Sequence, residues 1–218
     1  MRKLFITALI ASFAFISANA QENTSIEDTG FTKFQLRVRA LAVVPNESAN
    51  IEAIGGDVAI TNDYVPELDL TYFFTKNIAA ELILATTQHD VKAIATAAGD
   101  IPLGDVRLLP PTLTVQYHFN SEMVHPYIGA GVNYTLFYDE NSGPVADKVE
   151  YDNAFGFAFQ LGFDFDITDK WFINLDAKYL LLNTDVTVDA TTALGATVGA
   201  DVDINPFIAG VGIGYRLF

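Results

Sequence analysis

The sequence predicts an all-β fold, an eight-stranded antiparallel transmembrane β-barrel with short periplasmic turns and long extracellular loops. Three observations lead to this prediction. Hydrophobic residues alternate with polar or small residues along about eight segments of roughly ten residues each. The connections between these segments alternate in length. Half of the 218 residues are hydrophobic although the chain carries 27 acidic and 12 basic side chains, so apolar and charged residues must be strongly segregated.

The composition excludes several classes of protein. The hydrophobic fraction is too high for a disordered chain, and the absence of cysteine excludes a disulfide scaffold and a Cys-ligated metal site. A formal charge of −15 makes nucleic acid a poor partner, because phosphate binding needs a surface rich in Lys and Arg. A length of 218 residues suits one sizeable domain.

The first twenty residues have the layout of a secretory signal peptide. Arg2 and Lys3 form a basic start, residues 4–16 are almost entirely apolar, and Ala18-Asn19-Ala20 is a small-x-small cleavage site. The apolar run is shorter than the roughly 20 residues that a membrane helix needs. We therefore expect residues 1–20 to be a cleaved signal peptide and residues 21–218 to be the barrel domain.

Residues 155–166 carry the clearest strand pattern. Every second residue from Phe155 to Phe165 is hydrophobic, and the residues between them are Gly, Ala, Gln or Asp. A helix would scatter these side chains around its axis, whereas a strand places them on one face. The same alternation recurs along the chain and is weakest around Ala80–Leu84. The predicted barrel strands are 34–40, 67–74, 80–84, 112–119, 128–136, 155–166, 173–179 and 207–216.

A soluble β-sandwich also has alternating strands, and it is the structural alternative. Its outer face would here be unusually rich in Gly. The connections at 75–77, 120–125 and 168–170 are short, whereas those near 44–64, 89–107, 138–152 and 183–205 are long and acidic. Short turns at one rim and long loops at the other favour the outer-membrane barrel. The aromatic residues beside the short turns are predicted to form the lower interfacial girdle, and they are Tyr72, Phe73, Phe74, Tyr117, Phe119, Tyr127, Trp171, Phe172 and Tyr215.

Five segments resemble the OmpW family of outer-membrane barrels. They are PELDLTYFF at 66–74, LPPTL at 109–113, QYHF at 116–119, PYIGAGVNYT at 126–135 and GIGYR at 212–216. The similarity runs from about Arg37 to the end of the chain, and the combination of segments is specific although each one alone is weak. Members commonly end in Gly-Tyr-Arg-Phe, whereas this chain ends in Gly-Tyr-Arg-Leu-Phe.

The resemblance implies an eight-stranded barrel with a narrow lumen that is associated with passage of small hydrophobic molecules across the outer membrane of a Gram-negative bacterium. The family includes an alkane-import protein. The implied partners are outer-membrane lipid and lipopolysaccharide, small hydrophobic solutes and, during biogenesis, the barrel-assembly machinery. That machinery would recognise the terminal Phe218 as an assembly signal. No cofactor or metal is expected.

The alternation also assigns side chains to the lumen. The lower and middle barrel would hold a polar set that we call the plug, namely Arg37, Arg39, Glu67, Asp69, Glu81, Gln116, Asp164, Asp176 and Lys178. A structural role is the simpler interpretation, because an eight-stranded barrel is only wide enough for its side chains and buried ions persist when they are paired. A selectivity filter is the alternative.

Hydrophobic side chains are expected to line the lumen above the plug. They are Leu41, Val43, Ile83, Ala85, Leu108, Pro110, Ala158, Leu180, Leu182, Pro206 and Ile208. A water-filled pore would present polar groups here, so this set predicts a path for a hydrophobic solute. Such a solute would be stopped by the plug and would leave sideways into the bilayer.

Three prolines mark a candidate lateral exit. Pro66, Pro110 and Pro111 lie near the upper ends of two predicted strands that flank a third. Each proline removes one hydrogen-bond donor from the sheet and would help to open the barrel wall. The alternative is that these prolines merely end strands at loop junctions.

Other functions have weaker support in the sequence. An adhesive or structural barrel acting through its acidic extracellular loops, without transport, is the main alternative. Acidic residues in those loops, such as Asp139, Glu140 and Asp201, would bridge divalent cations to lipopolysaccharide or simply keep the loops solvated. His89-Asp90 is expected to be a solvated pair in a loop, and with no serine on a strand beside it the chain is not expected to be an enzyme.

Overall fold

The computed structural model describes residues 32–52, 54–119 and 121–217, and almost all of its regular structure is β-strand. Within these residues, no helix has the length and apolar character needed to cross a membrane. The predicted signal peptide and the assembly signal at Phe218 lie outside the described residues. The elements are β1 (Phe34–Val44), β2 (Ser48–Ile51), β3 (Asp57–Ile60), β4 (Asp63–Phe73), β5 (Ile78–Ala85), β6 (Thr87–Thr96), β7 (Gly99–Leu109), β8 (Thr112–His118), β9 (Val124–Ser142), β10 (Lys148–Tyr151), β11 (Ala154–Asp166), β12 (Trp171–Leu181), β13 (Asn183–Ala190), α1 (Thr191–Leu194), β14 (Ala196–Asp203) and β15 (Phe207–Arg216).

Eight of these strands close into a barrel. Their order around the ring is β1-β4-β5-β8-β9-β11-β12-β15, and β15 pairs back onto β1. Every neighbouring pair is antiparallel. The eight strands coincide with the eight predicted from the sequence, so the predicted fold class is confirmed.

The period of two separates the barrel's outer surface from its interior. On β11 the side chains of Phe155, Phe157 and Phe159 point outward and are more than half exposed, whereas the intervening Ala158 and Gln160 are buried. A strand turns successive side chains to opposite faces, so one sequence pattern produces an apolar belt outside and a filled lumen inside.

Short turns at the lower rim have local hydrogen bonds that explain their sequences. The Thr75 hydroxyl accepts hydrogen bonds from the backbone N–H groups of Asn77 (3.2 Å) and Ile78 (3.0 Å) in the turn after β4. Thr168 does the same for Lys170 (3.3 Å) and Trp171 (3.0 Å) in the turn after β11. These threonine turns reverse the chain tightly.

The four long connections are mostly strands, which differs from the loops that the sequence predicted. Residues 136–142 of β9 continue above the barrel and pair with β7, which pairs with β6, which pairs with β3. A second sheet has the order β10-β13-β14-β2. We call these two sheets above the barrel, with α1, the extension.

The extension forms because its segments also alternate. On β6 the side chains of Val91 and Ala93 are buried while those of Asp90 and Lys92 are exposed. On β13 the Val186 side chain is buried between the exposed Asp185 and Thr187. Acidic residues such as Asp90 and Asp185 therefore occupy the outer faces of sheets with an apolar inner side.

Candidate functional site: an apolar cavity above a charged plug

The nine plug side chains all lie inside the barrel, where each is at most 6% exposed. They come from β1, β4, β5, β8, β11 and β12, so six of the eight barrel strands contribute to one polar core. Their inward direction follows from the phase of each strand, as the sequence predicted.

Glu81 on β5 is the centre of the plug. Its Oε1 lies 2.8 Å from Nη1 of Arg37 and 2.5 Å from Nη2 of Arg39. Its Oε2 accepts hydrogen bonds from the Nε2 atoms of Gln116 (2.5 Å) and Gln160 (2.7 Å). Four donors from three other strands therefore hold one carboxylate, and such charge-assisted hydrogen bonds are the strong ones in proteins.

Lys178 forms the upper layer of the plug. Its Nζ lies 2.9 Å from Oε1 of Glu67 and 2.8 Å from Oδ1 of Asp176. The other Asp176 oxygen, Oδ2, lies 2.9 Å from Nη1 of Arg39. The Nη2 atom of Arg39 lies 2.8 Å from Oδ2 of Asp69. The ion pairs thus form one continuous network across the lumen.

The plug carries more negative than positive groups. Five carboxylates face three cations, so its formal charge with every group ionised is −2. Asp164 accepts a hydrogen bond from Asn174 at 2.7 Å, and its nearest cation in the plug, Arg37, lies 3.9 Å away. Because a buried anion needs a partner, this excess disfavours an anion at the level of the plug.

Aromatic rings close the lumen beneath the plug, which corrects part of the predicted girdle. Phe73, Tyr127 and Phe172 are at most 5% exposed and point inward. The Arg37 guanidinium lies 5.2 Å from the Tyr127 ring centroid and 5.8 Å from that of Phe172. The His118 ring stacks on Tyr127 with centroids 4.9 Å apart. Phe73, Tyr127 and Phe172 occupy positions of their strands whose side chains face the interior. The alternation of the strand therefore decides their direction, although aromatic residues in general favour the membrane interface.

Sequence reasoning also missed three polar groups of the interior. Gln160 bridges Glu81 and Asp176, the Tyr127 hydroxyl donates to Asp176 at 2.6 Å, and Asn174 donates to the Tyr127 oxygen at 3.0 Å. All three residues occupy inward positions of the alternation, so the phase alone would have identified them.

An apolar cavity of about 110 Å³ lies above the plug. Glu67 and Lys178 form its floor, and hydrophobic side chains form most of its wall. Of the predicted lumen residues, those on the wall are Leu41, Val43, Ile83, Ala85, Leu108, Pro110, Leu180, Leu182, Pro206 and Ile208. Ala158 is buried in the same apolar cluster as Leu41 and Leu180, although it is not part of the wall.

The cavity continues into the extension, which the sequence did not predict. Its upper wall combines inward residues of both extension sheets. They include Ile51, Val58, Val91, Ala93, Ile101, Val106, Val186, Val198 and Val202. Tyr151 also lines the cavity, and burial with the nearby Glu140 and Asp105 carboxylates raises the pKa of its phenol above the usual range, so the group stays neutral.

The barrel wall is interrupted beside the cavity. Ile83 pairs with Thr112 and Thr87 pairs with Leu108, but residues 84–86 and 109–111 between them form no ladder with each other. Pro110 and Pro111 occupy two of these positions. We call the interruption the gap; Ala85 and Pro110 lie opposite each other at its middle.

A second interruption flanks the same segment on the side of β4. The β4–β5 ladder begins at Glu67 and Ala85, so Pro66 does not pair with the segment after β5, although it still pairs with Ala40 of β1. Pro66 therefore lies within a strand, whereas Pro110 and Pro111 separate β7 from β8. The prolines surround a stretch of wall that has few backbone hydrogen bonds.

Acidic side chains of the extension mostly have partners in the extension itself. Asp147 accepts from the Thr192 backbone N–H at 2.8 Å, and the Asn183 amide donates to Asp201 (2.5 Å) and Asp203 (3.1 Å). Across the described part of the chain, no three or more His, Cys, Asp or Glu side chains are grouped so as to hold a metal ion.

His89 lies on β6 rather than in a solvated loop. Its side chain is 4% exposed and faces the cavity, while the neighbouring Asp90 is exposed. The expectation of a solvated His89-Asp90 pair is wrong because the alternation of β6 points these two residues to opposite faces.

Comparison with known proteins agrees with this architecture. The model of the OmpW family matches residues 31–217. Outer-membrane protein y4mB of Sinorhizobium fredii is 39% identical over 219 residues, which cover 96% of this chain and 94% of that protein. Outer membrane protein AlkL of Ectopseudomonas oleovorans is 28% identical over 95% of this chain and 94% of its own length.

Two solved structures share the fold. The crystal structure of the outer membrane protein OprG from Pseudomonas aeruginosa superposes with a TM-score of 0.79 at 28% identity, covering 85% of this chain and 96% of OprG. The solid-state NMR structure of AlkL in lipid bilayers has a TM-score of 0.66 at 27% identity and covers 90% of this chain and 97% of AlkL.

Proposed function

Since the chain belongs to the OmpW family and is a β-barrel of the bacterial outer membrane, we propose that it assists passage of small hydrophobic molecules across that membrane. The solute enters the apolar cavity from the extracellular side, is stopped by the plug and leaves sideways through the gap into the bilayer. One observation carries this proposal: an apolar cavity is closed below by paired ions and is bordered by an interrupted wall.

The cavity favours an apolar solute over water and ions. A hydrophobic molecule gains roughly 25 cal/mol for each Å² of apolar surface that it removes from water. An ion would lose its hydration against Leu41, Val43 and Leu180, and the two charged residues of the floor, Glu67 and Lys178, already pair with each other.

The plug opposes straight passage to the periplasm. Its charged and polar side chains come from six strands, and leaving one member of a buried ion pair without its partner costs about 3–5 kcal/mol, which opposes rearrangement of the plug. The aromatic rings of Phe73, Tyr127 and Phe172 fill the space below. A solute that reaches Glu67 and Lys178 therefore has no open route downward.

The gap supports a lateral exit. A proline supplies no N–H to a sheet, so Pro66, Pro110 and Pro111 leave the adjoining segment with fewer cross-strand bonds to break. The neighbouring outward Leu84 is 41% exposed on the surface that faces lipid. An apolar solute that passes between Ala85 and Pro110 would move from one apolar environment to another.

Uptake by matched cells with and without the protein tests the proposal, using octane beside a small charged solute. We expect faster entry of octane alone. The variant Ala85→Trp, which fills the cavity beside the gap, should abolish the effect, whereas Leu84→Trp places the same ring on the lipid face and should not.

Other outcomes separate the alternatives. Faster entry of the charged solute would identify the plug as a selectivity filter. No change in either rate would contradict transport and leave the adhesive or structural barrel, which acts through its acidic extension.

A further inference from the structure

His89 is a buried polar group on the largely apolar wall of the cavity. Its neighbours on the inward face of β6 are Thr87, Val91 and Ala93, and all four line the cavity. Thr87 pairs with Leu108 at the upper edge of the gap, so His89 lies one inward position above the exit.

The contacts of the imidazole fix its tautomer. Nδ1 of His89 lies 2.5 Å from the backbone carbonyl oxygen of Thr61. A carbonyl oxygen has no proton to give, so Nδ1 carries the hydrogen and donates it. In the neutral ring Nε2 is then a hydrogen-bond acceptor, because each nitrogen of a neutral imidazole has one role.

The ring is also held in place by the backbone around it. The Thr61 N–H donates to the Asp90 carbonyl at 3.1 Å, and the Asp90 N–H donates to the Thr61 hydroxyl at 2.9 Å. These bonds clamp residue 61 against 89–90, so the orientation of the imidazole does not depend on a ligand.

Nε2 of His89 has no hydrogen-bond partner within residues 32–52, 54–119 and 121–217. Three threonines of the wall are used internally: Thr112 donates to the Pro110 carbonyl, Thr135 to the Asn133 side chain and Thr184 to the Asp152 carbonyl. Since His89 lines the cavity, its Nε2 is available as an acceptor for a donor group on a ligand there.

We propose that His89 Nε2 accepts a hydrogen bond from a hydroxyl group of the transported solute, so that the cavity selects amphipathic molecules with an apolar chain and one hydroxyl, such as medium-chain alcohols. This inference rests on the proposed function. The hydroxyl would be held just above the gap while the chain lies against Leu108 and the rest of the apolar wall.

Two isomeric probes test the inference on the purified barrel in lipid nanodiscs. 1-Octanol and heptyl methyl ether have the same atoms, but only the alcohol has a donor. We expect 1-octanol to bind the unchanged protein about 3- to 10-fold more tightly than the ether. We also expect 1-octanol, and not the ether, to shift the 15N resonance of His89 Nε2. The chain has three histidines, so few signals have to be assigned.

The variant His89→Phe keeps an aromatic ring and removes the acceptor. It should bind 1-octanol about 3- to 10-fold more weakly and the ether as before, so the ether reports an intact cavity. The nitrogen shift is measured on the unchanged protein, so a variant that fails to fold does not decide the result.

Equal affinities for the two isomers in the unchanged protein, or a resonance that 1-octanol leaves unmoved, would overturn the role of His89 while leaving hydrophobic transport in place. If neither isomer binds and octane enters cells no faster with the protein than without it, the proposed function itself fails.

Discussion

Glu81 concentrates the electrostatics of the barrel interior in a single carboxylate. Both plug arginines and two amides donate to it, and its side chain is fully buried. Asp164 has the same charge and similar burial, yet its nearest cation in the plug is 3.9 Å away. Burial alone therefore does not tell which carboxylate stabilises the barrel.

The variant Glu81→Gln keeps the shape of the side chain and removes the charge that Arg37 and Arg39 share. Because it leaves two buried guanidinium groups without their common partner, we expect it to lower the free energy of unfolding by about 3 kcal/mol. Asp164→Asn, the matched control, removes one excess negative charge whose nearest cation in the plug is 3.9 Å away, and it should lower the free energy of unfolding by less than Glu81→Gln does. Urea titration of the barrel in lipid vesicles measures both. Equal losses would show that total charge, rather than the pairs of Glu81, determines stability.

Single residues also show how much of the barrel interior can be predicted from the sequence. The phase of each strand identifies the plug residues and also includes Gln160, Tyr127 and Phe172. For Tyr127 and Phe172 the aromatic residue type near a turn suggested the interface, whereas the phase of their strands points them inward. Two glycines explain why the rings fit inside, because a Cβ at Gly162 would lie 2.2 Å from Cζ of Tyr127 and one at Gly214 would lie 2.1 Å from Cζ of Phe172.

At the level of elements, the gap is the feature that connects the fold to the proposed route. The pairings on its two sides have the same register, since Ile83 faces Thr112 and Thr87 faces Leu108. The two strands are therefore in line across the gap, and only the bonds between them are missing. A covalent link at its middle would close it without shifting the rest of the ladder.

The double variant Ala85→Cys/Pro110→Cys tests the gap in a chain that has no other cysteine. We expect the oxidised protein to lose its effect on octane uptake and a reductant to restore it, because the disulfide joins the two sides of the exit. The pair Leu82→Cys/Leu113→Cys, placed where the same strands are already paired, serves as control and should have no effect in either redox state. Uptake that persists through the oxidised Ala85–Pro110 link would contradict exit at this position.

For the whole molecule, the barrel and the extension enclose one cavity. The barrel supplies the floor and lower wall, and both extension sheets supply the upper wall. The sequence predicted the barrel because eight strands share one period and the turns sort into two rims. It did not predict the extension, because the pairing of β2 with β14 joins residues about 150 positions apart, and no local pattern specifies such a partner.

A charged residue buried in the upper wall of the cavity tests the role of the extension separately from that of the barrel. Val91→Asp places an unpaired carboxylate among apolar side chains of the extension, and the cost of burying it should open that wall. We expect octane uptake to fall to the level of cells without the protein while the barrel keeps its heat-modifiable migration on gels. Lys92→Asp changes the outward neighbour and should preserve uptake. Loss of the folded barrel in the first variant would mean that the extension and barrel fold as one unit.

The pairing of β1 with β15 has a consequence for how the molecule is made. The ring is completed by β1, which begins at Phe34, and β15, which ends at Arg216. The first barrel strand to be synthesised can therefore pair with its second neighbour only after the last strand has been made. Until then two strand edges carry open N–H and C=O groups, which hydrocarbon cannot satisfy and which other chains can capture. Closure of the ring therefore has to follow synthesis of β15, and both edges are satisfied only when β1 and β15 pair.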